Sequence, residues 1–145
     1  MRILGVDFGD RNIGLALSDQ LFFTAQPFGV YRLSGEKENA AFFRELVTRQ
    51  EIGEVVIGFP LRMNGSQGTR AEKTREFAAW LEKTVSRPVV FWDERLTTHQ
   101  AQGIMQEQKI KGRDKKDVEH QISATIILLG YLERRRLDSH APPSS

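Results

Sequence analysis

The sequence predicts an α/β fold, a mixed five-stranded sheet in which three antiparallel strands precede βαβ crossovers, with helices on the faces. Three observations predict it. The first thirty-odd residues alternate short apolar runs with turn-forming residues, as a group of hairpins does. Glu54–Phe59 and Pro88–Trp92 are continuous apolar, β-branched runs of the kind that form strands buried on both faces. Between and after them, apolar residues recur at helical spacing.

In chain order, Arg2–Val6 is a short apolar strand closed by a carboxylate, Asp7. Gly9, Asp10 and Asn12 tolerate the backbone of a tight turn, and Ile13–Asp19 returns as a second strand. Leu21–Thr24 and Gly29–Leu33 form a third strand region broken near Pro27, which marks an edge strand or a bulge. Glu36–Gln50 is helical, with Phe42, Phe43, Leu46 and Val47 on one face and Gly53 punctuating its end. Pro60 stops the first buried strand, and Leu61–Gly68 is a polar, glycine-containing loop. Thr69 opens the next helix, with Glu72 at capping-box spacing and Phe77, Ala78, Leu81 and Val85 facing inward. The second buried strand runs into Asp93-Glu94-Arg95. Thr97 or Thr98 caps a further helix carrying Ala101, Ile104 and Met105. Lys109–Lys116 is a basic connector around a central glycine, either a solvated loop or a phosphate-contacting arm. Val118–Leu137 is a helix apolar almost all round, hence one buried against the sheet, and Asp138–Ser145 is a frayed tail.

Composition narrows the function. At 145 residues the chain fits one domain, here 1–137, followed by the tail 138–145. It has no cysteine, which excludes disulfides, thiolate catalysis and zinc–thiolate sites. No apolar run reaches the roughly 18 residues of a membrane span, and an acid within the first ten residues is unlike a secretory signal. A cytoplasmic location is the expectation. A net charge of +2 is compatible with a polyanionic partner without requiring one.

Ligands of such sheets bind beyond the carboxyl ends of the parallel strands. Parallel central strands would bring Asp7 and Glu94 to one edge, where carboxylates suit a hard divalent cation. An acid closing an apolar strand is also a common turn opener, so this edge carries the functional reading only through its second acid.

Gly5-Val6-Asp7-Phe8-Gly9 with Arg11, Gly14 and Ser18-Asp19 resembles the opening signature of the YqgF (RuvX) family. The resemblance continues through Gly58-Phe59-Pro60-Leu61, Met63-Asn64-Gly65-Ser66 and Asp93-Glu94-Arg95-Leu96-Thr97-Thr98, and covers Arg2 to Leu132. It implies an RNase H-like fold and a Holliday junction resolvase or pre-16S rRNA nuclease that hydrolyses phosphodiesters with Mg²⁺ or Mn²⁺. By the same resemblance Asp7 and Glu94 are two of three metal-binding acids, and the third is an Asp at the start of the last helix. That position holds His120 here. His120 is the first choice for the third ligand, and Asp117, on the same face one turn earlier, is the second. Glu119 comes third, while a surface or capping histidine is the plain alternative. An imidazole ligand would favour Mn²⁺ over Mg²⁺. Arg11 and Arg95 can clamp phosphates or pair with Asp10, Asp93 or Glu94. Asn64 with its loop, and Lys109, Lys111 and Arg113, are further candidates for substrate contact.

The implied partner is pre-rRNA or branched DNA, for a monomer or weak homodimer. A sugar-kinase or actin-like ATPase also opens on Asp-x-Gly but needs two such domains. A ribosome-assembly protein that binds nucleic acid without cleaving it is the alternative from another class.

Overall fold

The structure, a computed structural model, describes residues 1–59, 66–93 and 115–140. Strands β1 (Arg2–Phe8), β2 (Asn12–Ser18), β3 (Ala25–Arg32), β4 (Ile52–Phe59) and β5 (Val89–Asp93) form one sheet of order β3-β2-β1-β4-β5. β1 pairs antiparallel with β2, and β2 with β3, while β4 and β5 extend the sheet parallel to β1. The mixed five-stranded sheet is therefore as the sequence implied. Three helices are described: α1 (Glu36–Arg49), α2 (Ser66–Val85) and α3 (Lys115–His140).

The two faces of the sheet differ. Leu4, Val6, Leu15, Val55 and Ile57 point to one side, where Phe43, Leu46, Phe77 and Leu81 of α1 and α2 cover them. Stacked and edge-on rings reinforce that layer, as in Phe8 against Phe77 at 4.6 Å and Phe43 against Phe77 at 5.9 Å. On the other side Ile3, Ala16 and Val56 meet Ala124, Ile127, Leu128 and Leu132 of α3. Gly5 lies under this helix too, since a Cβ there would stand 2.8 Å from Leu128 Cβ. Small residues let α3 approach closely.

Several boundaries differ from the sequence reading, each for a local reason. β1 runs past Asp7 to Phe8, because Asp7 pairs with Gly14 and Phe8 with Ile13. Leu21–Thr24 is a turn rather than strand: Asp19 Oδ1 accepts the backbone N–H groups of Phe23 at 2.7 Å and Thr24 at 2.9 Å. β3 is indeed an edge strand with a bulge, Leu15 and Ala16 pairing with Gly29 and Pro27 so that Phe28 is passed over. Gly53 does not end α1 but lies inside β4. The left-handed residue there is Glu51, at φ 53°, and Ser86, at φ 55°, does the same after α2. α2 starts at Ser66, so Ser66–Gly68 is helix and Thr69 with Glu72 is not a cap. α3 takes in Lys115 and Lys116 at its start, and Asp138–His140 extend it beyond Leu137, where a frayed tail was expected. The helix expected after Thr97 lies outside the described residues. No described helix is long and apolar enough to cross a membrane.

Candidate active site

Alternation along β1 puts Ile3, Gly5 and Asp7 on the α3 side. Asp7 is the one acid buried among the described residues, 7 % exposed, and burial of a carboxylate is costly without a partner. Its partner is His120, whose Nδ1 stands 3.1 Å from Asp7 Oδ2. Gly14 makes that meeting possible. It is the cross-strand neighbour of Asp7, and a Cβ on it would stand 2.0 Å from the His120 carbonyl oxygen. The backbone of α3 thus rests on a bare Cα, and the imidazole drops to the edge of β1. Gly9 closes the same corner, with room for a Cβ blocked by the Asn12 carbonyl at 2.6 Å and His120 Cε1 at 3.2 Å.

Asp7 and His120 open into a cleft of about 480 Å³ whose walls also include Asp10, Arg70, Glu119 and Ser123. Arg70 reaches it from the early turns of α2, its Nη2 donating to the Phe8 carbonyl at 3.5 Å. Lys73 Nζ stands 4.0 Å from Asp10 on the outer side, an exposed pair of little energetic weight. Arg70 of α2 and Glu119 and His120 of α3 come from the early turns of their helices.

The donor set fits a divalent cation. Two cis ligands of an octahedral ion at about 2.1 Å stand about 3.0 Å apart, close to the 3.1 Å between Asp7 Oδ2 and His120 Nδ1. Without an ion, a shared proton between the two atoms makes this a hydrogen bond, because two facing lone pairs would repel. Among the described residues no three His, Asp or Glu side chains form a metal site by themselves. Asp7 and His120 could supply two donors.

Of the residues singled out from sequence, Asp7 and His120 come together. Glu119 lies on the cleft wall, whereas Asp117 is exposed and is not one of the lining residues. Arg11 is exposed on the β1–β2 turn, its carbonyl accepting from Leu33 N at 2.7 Å, and is likewise not a lining residue. Glu94, Arg95, Asn64, Lys109, Lys111 and Arg113 lie outside the described residues. β5 nevertheless approaches the same edge: Gly58 pairs with Trp92 and Phe59 with Asp93. Trp92 packs on the α3 side, next to Tyr131, while Asp93 takes the parity of the other face. Sequence reasoning missed Arg70 and Ser123. Ser123 was within reach, three residues after His120 on one helical face. Nothing local marked Arg70, because the start of α2 was placed too late.

Comparisons with known proteins agree with one another. A family model described as RuvX, Holliday junction resolvase, matches residues 1–134. A relative from Koribacter versatilis named "Putative pre-16S rRNA nuclease" is 42 % identical over 144 residues, covering 99 % of this chain and 94 % of its own. One of the same name from Moorella thermoacetica is 45 % identical over 134 residues, covering 92 % and 96 %. Among solved structures, Thermus thermophilus RuvC in complex with Holliday junction substrate superimposes with a TM-score of 0.63 at 15 % identity, covering 94 % of this chain and 96 % of that one. The Fowlpox virus resolvase with its junction DNA gives 0.58 at 12 % identity, covering 93 % and 99 %. At such identities the likeness is one of fold, RuvC-like and RNase H-like.

Proposed function

We propose that this chain, which belongs to the RuvX family, is a metal-dependent nuclease that processes the 5′ end of pre-16S rRNA during ribosome biogenesis in the cytoplasm. One observation carries the reading: a buried carboxylate and an imidazole 3.1 Å apart at the sheet edge, opening into a polar cleft. The described side chains lining that cleft are carboxylates, an imidazole, a guanidinium and one hydroxyl, a set that suits hydrolysis by activated water.

Asp7 and His120 would hold the cation, with Glu94 as third ligand. Trp92, two residues before Glu94 in the sequence, packs on the α3 side of the sheet. When bound, a divalent cation supplies Lewis acidity, and a pair of ions roughly 3.5–4 Å apart would serve both the attacking and the leaving oxygen. The chain's own residues do the rest. Arg70 grips phosphate oxygens through its guanidinium fork, and Arg11 and Arg95 remain proposed phosphate contacts. Ser123 offers a hydroxyl to the same cleft. An imidazole nitrogen is a softer donor than a carboxylate oxygen, which favours Mn²⁺ over Mg²⁺. Asn64, Lys109, Lys111 and Arg113 remain proposed contacts to the backbone of the substrate.

A second reading, resolution of Holliday junctions, is favoured by the RuvC likeness and would need two copies of the site, hence a dimer. The rRNA reading needs only a monomer. Cleavage of an end-labelled pre-16S leader and of a four-way DNA junction, each with Mn²⁺ and Mg²⁺, tests both. Metal-dependent product from the RNA, lost in Asp7→Asn, is expected. Product from the junction alone would reverse the order of the two readings, and tight binding without product under either ion would leave a non-catalytic assembly factor.

A further inference from the structure

At the end of α3 remote from the cleft, consecutive aromatic residues stand against consecutive arginines. The turn between β2 and β3 carries Leu21, 73 % exposed, and Phe23, 55 % exposed. This turn is built rather than slack. Asp19 Oδ1 ties down the N–H groups of Phe23 and Thr24, and Phe22 takes φ 63°, a conformation that bulky residues rarely adopt. Arg135 lies over the Phe22 ring with Cζ 5.0 Å from its centre, and Arg136 over Phe23 at 5.9 Å. Arg136 Nη1 also donates to the Phe23 carbonyl, at 3.4 Å.

Phe23 is exposed beside the Arg136 guanidinium, while Phe22 is partly buried against the α3-side core; an exposed ring beside a guanidinium is the arrangement on which an unpaired base stacks while its phosphate is neutralised. Strain at Phe22 is consistent with a turn shaped for contact rather than for stability. An apolar protein face would have to desolvate Arg134, Arg135 and Arg136, whereas a polyanion gains from them. Glu54 Oε2 stands 3.7 Å from Arg135 Nη1, and Arg134 and Arg136 are engaged as well, so a phosphate would share these guanidinium groups with their present partners.

We propose that the surface formed by Phe22, Phe23 and Arg134–Arg136 is a second nucleic-acid contact, which takes an unpaired stretch of the substrate strand away from the scissile bond. At about 1.5 Å per helical residue, Arg136 stands roughly 24 Å along α3 from His120. At about 3.4 Å per stacked nucleotide, that is roughly seven nucleotides. The identity of the strand rests on the nuclease reading; the contact itself does not.

The test uses the full chain carrying Asp7→Asn, so that binding is read without turnover, and single-stranded RNAs of twenty and four nucleotides followed by fluorescence anisotropy. Phe23→Ala and Arg136→Ala each weaken binding of the longer RNA about tenfold and leave the shorter one unaffected. Removing an arginine lowers the salt slope by about 0.7, and Phe23→Trp restores affinity. In the otherwise wild-type protein the same substitutions raise KM for a long substrate while kcat is unchanged. Unchanged affinity for the longer RNA in both variants overturns the proposal. So does unchanged affinity accompanied by a shift from dimer to monomer in sedimentation, which would make the patch a self-association face. Patch-dependent RNA binding by a wild-type protein that cleaves nothing with either ion would instead sink the nuclease reading and leave this contact standing.

Discussion

Gly14→Ala is the sharpest probe of how the fold makes the site. The added Cβ would stand 2.0 Å from the His120 carbonyl oxygen and 2.4 Å from its carbon. Even a contact of 3.0 Å, tighter than real Cβ atoms show, requires the first turns of α3 to retreat by about 1 Å. Asp7 sits directly across from Gly14 in the β1–β2 ladder, so the retreat opens the 3.1 Å contact between Asp7 and His120. Overpacking of this kind costs about 1–3 kcal/mol, which for a chain of this size lowers Tm by roughly 3–10 °C. A misplacement of about 1 Å at a reacting centre costs about 10²-fold in rate. The expected signature is a folded protein, modestly less stable, with activity reduced far beyond its loss of stability. Two further glycines grade the effect. Gly5→Ala meets Leu128 Cβ at 2.8 Å and the Ala124 carbonyl at 2.9 Å, a milder push, and Gly29→Ala meets nothing within 4 Å. Metal-dependent cleavage and thermal melts should therefore rank Gly14→Ala below Gly5→Ala below Gly29→Ala. Wild-type cleavage by Gly14→Ala would refute the claim that a bare Cα seats the imidazole.

Other consequences can be measured on the same protein. His120→Ala should lower cleavage by at least about 10²-fold, consistent with loss of a ligand, while His120→Asp should keep activity and move the preferred ion from Mn²⁺ toward Mg²⁺ in titrations; undiminished cleavage by His120→Ala would remove it from the site. Arg70→Ala should reduce kcat/KM for cleavage, with Arg70→Lys recovering only part because it offers a point charge and no fork; equal recovery by lysine would argue against the fork. Leu128→Ala, at a fully buried position on the sheet-facing side of α3, should cost about 2–5 kcal/mol in denaturant unfolding. Asp19 is raised by desolvation, but backbone N–H groups from Thr24 and Phe23 outweigh this and hold its pKa below 3.8. Its stabilisation is therefore complete above the unfolded-state value and lost as pH falls through the lowered folded-state value. The Tm difference between wild type and Asp19→Asn should be constant near neutrality and shrink below about pH 4; a pH-independent difference would contradict that sign.

Much of this was legible in the sequence, and the exceptions share a cause. Asp7 announced itself as an acid closing an apolar strand, and α3 as a helix with too many apolar positions to face water. The two β-branched runs became the parallel strands β4 and β5. What misled was punctuation. Glycine was read as the residue that ends a helix, yet Glu51 and Ser86 take the left-handed positions while Gly53 continues a strand. Side chains at such positions are tolerated when the hydrogen bonds around them are good, as with Gln50 N to the Leu46 carbonyl at 3.0 Å. Leu21–Thr24 has strand-forming residue types but is held as a turn by one carboxylate four and five residues away, a local side-chain bond that strand propensity does not contain. Arg70 could not be placed on the cleft because its position depends on where α2 begins.

The two faces of the sheet divide the work, and the division follows from residue size. Under α1 and α2 the strands present Leu4, Val6, Leu15, Val55 and Ile57 to Phe43, Phe77 and Leu81. Bulky residues there bury area in proportion to their size. Under the first half of α3 the strands present Gly5, Gly14 and Ala16, which contribute little buried area but allow backbone-to-backbone contact. A bulky residue at position 14 would add apolar surface and still lose, because it would lift His120 away from Asp7. The glycines near the cleft are thus set by where the imidazole must go rather than by stability. It follows that truncations in the α1–α2 layer, such as Leu81→Ala, should shift Tm with cleavage falling only as the folded fraction falls. Enlargements beneath α3 should do the reverse. A Leu81→Ala protein that is mostly folded at the assay temperature and yet inactive would show that the two faces are coupled, and would break the argument.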